Sequence, residues 1–131
     1  SHFTALLYGQ GNAITGTIDV LPEQLPLNYD NAVFYYFGDI DAEGITIWYT
    51  LQQKCAVQLA RPFYTACLQK TAASGKQYQR KNEAAIEAFI QRLSTDNGEK
   101  VVDALRDGLY YPQEILNAKE LQQIWRDAQW M

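Results

Sequence analysis

Residues 32–51, AVFYYFGDIDAEGITIWYTL, set the frame of the chain. Residues 32–38 are continuously apolar and aromatic, as in a central strand covered on both faces. Gly38 ends that run, and Gly44 to Gln53 then places Ile47, Thr50, Leu51 and Lys54 at helical spacing. Between strand and helix stand Asp39 and Asp41, separated by one isoleucine. Side chains at i and i+2 share a face inside a strand, but here both lie beyond the glycine where the strand gives way to a turn. In open parallel sheets, ligands bind at the carboxyl ends of strands. Two carboxylates placed there repel one another unless a helix N-terminus or a cation offsets the charge. Mg²⁺ suits the place, because it takes a few carboxylate oxygens and keeps water and substrate phosphate as its other ligands. Gly38 and Gly44 leave room for a backbone or a phosphate to come close. The same residues also allow a plainer reading, in which Asp41 caps the following helix and Asp39 is a solvated strand end.

Outward from this stretch the chain alternates. FTALLYG (3–9) reads as a short buried strand ended by Gly9, and the turn after it carries Gly11 and Asn12 beside the aspartates' end of the sheet. A helix from Asn12 or Ala13 is opposed by Gly16 and several β-branched residues, and residues 20–31 read as loop. AVQLARP (56–62) reads as a third strand stopped by Pro62. Alternating strands and helices predict an α/β fold, with a mostly parallel sheet flanked by helices and a helical C-terminal half. In that half Asn82 is placed to cap a helix bearing Ile86, Phe89, Ile90 and Leu93. A following helix presents Val101, Val102 and Leu105 before Gly108. Pro112 can open a short helix, and Asn117 with Glu120 forms a capping-box pattern ahead of Leu121, Ile124 and Trp125. Residues 71–81, TAASGKQYQRK, are expected to be the most flexible stretch, and Tyr35, Tyr36, Tyr110 and Tyr111 read as packing residues.

The chain has 131 residues, 47% hydrophobic and 20% charged, which suits one globular domain. No apolar run reaches the ~18–20 residues that span a bilayer, and no signal-peptide pattern opens the chain. Cys55 and Cys67 match no CxxC pattern and are too few for a disulfide framework, so buried thiols in a cytoplasmic protein are expected. His2, the only histidine, follows Ser1 at the start and is given no catalytic weight. The net charge of −4 hides a segregation. Residues 1–43 hold six acids and no Lys or Arg, whereas residues 44–82 hold Lys54, Arg61, Lys70, Lys76, Arg80 and Lys81 and no acid. An acidic site beside a basic tract with interleaved aromatics can track a phosphate backbone, so Lys70, Lys76, Arg80 and Lys81 are candidate contacts to double-stranded DNA. The plainer expectation is that folding intermixes the two blocks.

YYFGDIDAEGI (35–45), after a strand ending in YGQGNAI (8–14), resembles the Toprim-like domain at the C-terminus of the JetD-type subunit of Wadjet anti-plasmid systems, itself similar to the Toprim domain of the topoisomerase VI A subunit. FGDIDAEGI, a GDxDxxG pattern, is the most specific piece, and the likeness covers most of the chain in order. The resemblance implies Mg²⁺- or Mn²⁺-dependent cleavage of DNA strands, with Asp39 and Asp41 as the metal-binding aspartates. It also implies SMC-like complex subunits as partners. YYPQEIL (110–116) resembles the family's glutamate-containing segment near the C-terminus and so nominates Glu114; read without the family, Gln113 and Glu114 are a solvated first turn of helix.

Toprim domains carry a further glutamate at the end of an earlier strand. Neither Glu23, in the loop between the matching strands, nor Glu43, after the DxD, occupies that position. The chain therefore reads as one Toprim-like domain from a longer protein, expected not to cut DNA by itself and to cover an exposed sheet edge by homodimerisation. Two other classes stay open. One is a haloacid-dehalogenase-type phosphotransferase, which expects Thr or Ser where Glu43 stands. The other is a Toprim-shaped domain that binds DNA or protein without catalysis.

Overall fold

The computed structural model describes residues 2–9, 31–54, 56–75 and 79–128. Strands β1 (His2–Tyr8), β2 (Asn31–Phe37) and β3 (Val57–Leu59) form a parallel sheet in the order β1-β2-β3. The expected α/β class, a parallel sheet flanked by helices with a helical second half, is what forms, consistent with the Toprim-like arrangement. β1 and β2 pair over their whole length, from His2 opposite Asn31 to Tyr8 opposite Phe37, so both strands end at the same level. That shared end places Gly9 beside Gly38, and Gly9 N–H donates to Phe37 O at 3.0 Å. β2 is the central strand, and Phe34 to Phe37 are buried on both faces, which explains the unbroken apolar run.

Helix α1 (Ala42–Lys54) starts at the end of β2 and buries Ile45, Ile47, Trp48 and Leu51. Residues 56–62 are only partly strand, because β3 stops at Leu59 and Arg61 opens helix α2 (Arg61–Cys67). Pro62 falls in the first turn of that helix, where no N–H is needed and its fixed φ suits the helix. It begins an element rather than stopping one. Phe63, Tyr64 and Cys67 of α2 are buried. Cys67 is the buried thiol expected, and burial is the main cause that pushes its pKa up to about 12. Cys55 lies outside the described residues.

The helical half is built on its caps. Asn82 Oδ1 accepts from Ala85 N–H at 3.1 Å and starts α3 (Glu83–Gln91). Ser94 Oγ accepts from Asn97 N–H at 3.2 Å and starts α4 (Thr95–Arg106), which ends before Gly108 at φ 71°. Val101 and Ala104 of α4 are buried, but Val102 is exposed and does not join the core stripe as expected. Asn117 and Glu120 make both capping-box bonds, at 2.8 and 3.1 Å, at the start of α5 (Ala118–Asp127). Phe37, Phe63, Tyr64, Phe89 and Trp48 join sheet and helices through edge-on ring contacts 5.1–5.8 Å apart. The described parts of 71–81 are tied down at both ends. Strand β4 (Ala73–Ser74) pairs antiparallel with β5 (Leu109–Tyr110), and Gln79 Oε1 accepts from Glu43 N–H at 3.2 Å.

Candidate metal centre

The turn after β2 is held at each residue by a different element. Gly38 N–H donates to the buried Tyr64 hydroxyl at 3.0 Å. Ile40, between the aspartates, forms an antiparallel bridge with Tyr111, its N–H donating to Tyr111 O at 2.8 Å and its carbonyl accepting from Tyr111 N–H at 3.2 Å. Asp39 Oδ1 accepts from Gln113 N–H at 2.8 Å. Asp41 Oδ1 accepts from Gly44 N–H at 2.6 Å, so Asp41 caps α1 as the plainer reading expects. Asp39 is no solvated strand end, being half-buried against the segment that follows β5.

These constraints bring Asp39, Asp41, Glu43, Gly9, Gly44, Tyr36 and Ile47 around one cavity of about 80 Å³. A water needs about 10–15 Å³ by this measure, so several can enter. Asp41 is 2% exposed, and the first turn of α1 points its N–H groups at the charge. Gly44 is required by a close approach, since a Cβ there would lie 2.3 Å from the Asp39 carbonyl oxygen. At Gly9 and Gly38 a Cβ would meet the Tyr36 hydroxyl, at 1.9 and 2.5 Å. The space these glycines free is thus filled by a tyrosine of the same site. Burial first, and then the nearby charges of Asp39 and Asp41, hold the Tyr36 phenol well above the usual tyrosine value.

Among the described residues no group of three His, Cys, Asp or Glu side chains could hold a metal ion together. Asp39, Asp41 and Glu43 are the carboxylates that line the cavity, and the two aspartates each have an oxygen fixed by a backbone N–H. A hard, water-keeping ion such as Mg²⁺ or Mn²⁺ fits that donor set, whereas zinc, which favours four protein ligands, does not.

Glu114 is exposed and is not among the residues that line the cavity; its neighbour Gln113 bonds to Asp39 through its backbone N–H. With its amide nitrogen turned toward the sheet, Gln113 donates to Gly9 O at 2.9 Å and Phe37 O at 3.2 Å, and so ties the ends of β1 and β2 to Asp39. The YYPQ order hints at this, since Pro112 turns the chain directly after the residue that bridges to Ile40. Arg80 and Lys81 line a second cavity of about 740 Å³, which shares Glu43 and Ile47 with the acidic one. Lys70 stands apart from them, paired with Glu120 at 2.9 Å. Gly11, Asn12 and Lys76 lie outside the described residues.

The model of the family described as Wadjet protein JetD, C-terminal, matches residues 2–118. The chain belongs to that family. Comparison with curated proteins and with solved structures gives no significant match. The match runs through β1, the DxD turn and the Pro112–Gln113 segment, so every residue of the JetD cavity lies inside it. Membership places the chain in a multi-subunit plasmid-defence system, and among the described residues no helix is long and apolar enough to cross a membrane.

Proposed function

We propose that this JetD domain holds a hydrated divalent cation, Mg²⁺ or Mn²⁺, between Asp39 and Asp41 and serves the cleavage of DNA strands within its Wadjet complex. The observation that carries the reading is the convergence of both carboxylates on one small cavity, each with an oxygen fixed by a backbone N–H. When bound, the cation supplies Lewis-acid stabilisation of charge on a scissile phosphate. The chain's own residues do the rest. Gln113 and Gly44 orient the two aspartates, and the bridge between Ile40 and Tyr111 keeps them from turning away. Arg80 and Lys81, on the adjoining cavity, draw the phosphate backbone toward an otherwise acidic edge. The SMC-like subunits of the same system are the expected partners that present the DNA.

The test is cleavage of circular DNA by the full-length subunit, with its partner subunits, in Mg²⁺ and in Mn²⁺. Asp39→Asn should abolish cleavage and leave the thermal midpoint near that of the wild type. Cleavage by the variant at the wild-type rate would remove the aspartates from the chemistry and leave a Toprim-shaped binding domain.

A further inference from the structure

One buried polar group of the site is left without a hydrogen-bond partner among the described residues. Tyr36 is 1% exposed, and its hydroxyl meets no hydrogen-bond partner among the described residues. A buried hydroxyl left unpaired destabilises a protein, and phenylalanine would fill the same ring space without that penalty. The chain nevertheless makes room for the hydroxyl itself, since any side chain at Gly9 or Gly38 would run into it. Tyr36 is among the residues that line the cavity Asp39 and Asp41 share.

A cation held by two carboxylates keeps most of its water shell, and such waters need partners in the protein. We propose that Tyr36 is a positioning residue whose hydroxyl hydrogen-bonds a water molecule on the divalent cation held by Asp39 and Asp41. The phenol suits this better than another carboxylate would, because it can accept from one water and donate to another without adding charge to an already acidic pocket. The inference rests on the reading of the site as a divalent-cation site, and it makes Tyr36 part of the ion's outer shell rather than an attacking group.

The test is a Mn²⁺ titration of the full-length protein, followed by water-proton relaxation, on the wild type, Tyr36→Phe and Asp39→Asn, with thermal unfolding of each metal-free protein. Tyr36→Phe keeps the ring against Gly9 and Gly38 and removes only the hydroxyl. It should weaken Mn²⁺ binding about 10- to 100-fold, as loss of outer-shell partners does, with a metal-free midpoint equal to or above that of the wild type. If Tyr36→Phe binds Mn²⁺ like the wild type while Asp39→Asn does not, the metal reading stands and Tyr36 has no part in it. A metal-free midpoint several degrees below the wild type would show that the hydroxyl has a structural partner, which also overturns the proposal. If the wild type takes up no Mn²⁺, or Asp39→Asn takes it up unchanged, the metal reading and the Tyr36 proposal fall together.

Discussion

The acidic corner and the basic tract were both conspicuous in the sequence, and the fold treats them in opposite ways. Asp39 and Asp41 are two residues apart on a strand–turn–helix unit, and they arrive at one cavity with their oxygens already bonded. Lys70, Arg80 and Lys81 belong to one basic tract of the sequence, yet Lys70 is taken up by Glu120 of α5 while Arg80 and Lys81 settle beside the first turn of α1. Charges on rigid local geometry stay together. Charges on a connecting segment go where tertiary contacts take them, so a run of like charge in a loop carries much less positional information.

The largest effect that can break this contrast is at Asp41, which combines a cap with a charge. Asp41→Asn preserves the cap, since asparagine accepts the same Gly44 N–H, and removes the charge. Asp41→Ala removes both. Cleavage by the full-length subunit should fall about 10²-fold or more in either variant, because even an outer-shell partner of a metal ligand is worth roughly 10- to 100-fold. Chemical denaturation should separate them, with Asp41→Ala losing about 1 kcal/mol more than Asp41→Asn. Equal stability losses would mean that the carboxylate charge, rather than the cap, holds the start of α1.

Rigidity itself is tested at Gly44. A methyl group there would press on the Asp39 carbonyl, which is backbone and cannot swing aside. Gly44→Ala should destabilise by about 1–3 kcal/mol, the usual range for overpacking, and should lower Mn²⁺ affinity because the two aspartates can no longer hold their spacing. Arg80→Ala, on an exposed residue of the basic segment, should stay within about 0.5 kcal/mol of wild type. If both substitutions cost the same, the acidic corner is no stiffer than the loop beside it.

The same distinction explains what could be read from the sequence. β2, the DxD turn and α1 were legible because apolar run, glycine and helical spacing are local signals, and the caps at Asn82 and at Asn117 with Glu120 were legible for the same reason. Gln113 was not, because its bond to Asp39 spans 74 residues and the turn at Pro112 before it does not say which residue it meets. The resemblance nominates the adjacent Glu114, which is exposed and is not among the residues lining the cavity. α2 is hidden in the sequence because Pro62 reads equally as the end of a strand, although Phe63, Tyr64 and Cys67 behind it carry the pattern of a buried helix face. Tyr36 read as packing, which its ring is, and only the geometry of Gly9 and Gly38 sets its hydroxyl apart.

A smaller effect concerns the salt dependence of DNA binding by the full-length protein. Neutralising Arg80 and Lys81 should each flatten the slope of log affinity against log salt by about 0.9, the value for one released phosphate contact on duplex DNA. Lys70→Ala should leave the slope almost unchanged, since its ammonium already faces Glu120. A loss of slope at Lys70 equal to that at Lys81 would return the tract to a single surface and undo the contrast.

The smallest expected effect is in the pair that takes Lys70 away. The hydrogen bond from Lys70, and then the one from Asn117 N–H, hold the Glu120 carboxyl below its ordinary value of 4.5. A carboxylate whose folded pKa is depressed contributes stability that is present above the unfolded pKa and is lost as pH falls through the folded one. The margin of wild type over Glu120→Gln should therefore be present at pH 7, hold down to about the ordinary carboxylate range, and close below it. Thermal midpoints of both proteins between pH 7 and pH 3 measure that margin. Added salt should narrow it at pH 7, because the pair is open to solvent and screened. Were the margin to persist unchanged at pH 3, the glutamate would be acting through packing or neutral capping, and Lys70 would be left available to DNA after all.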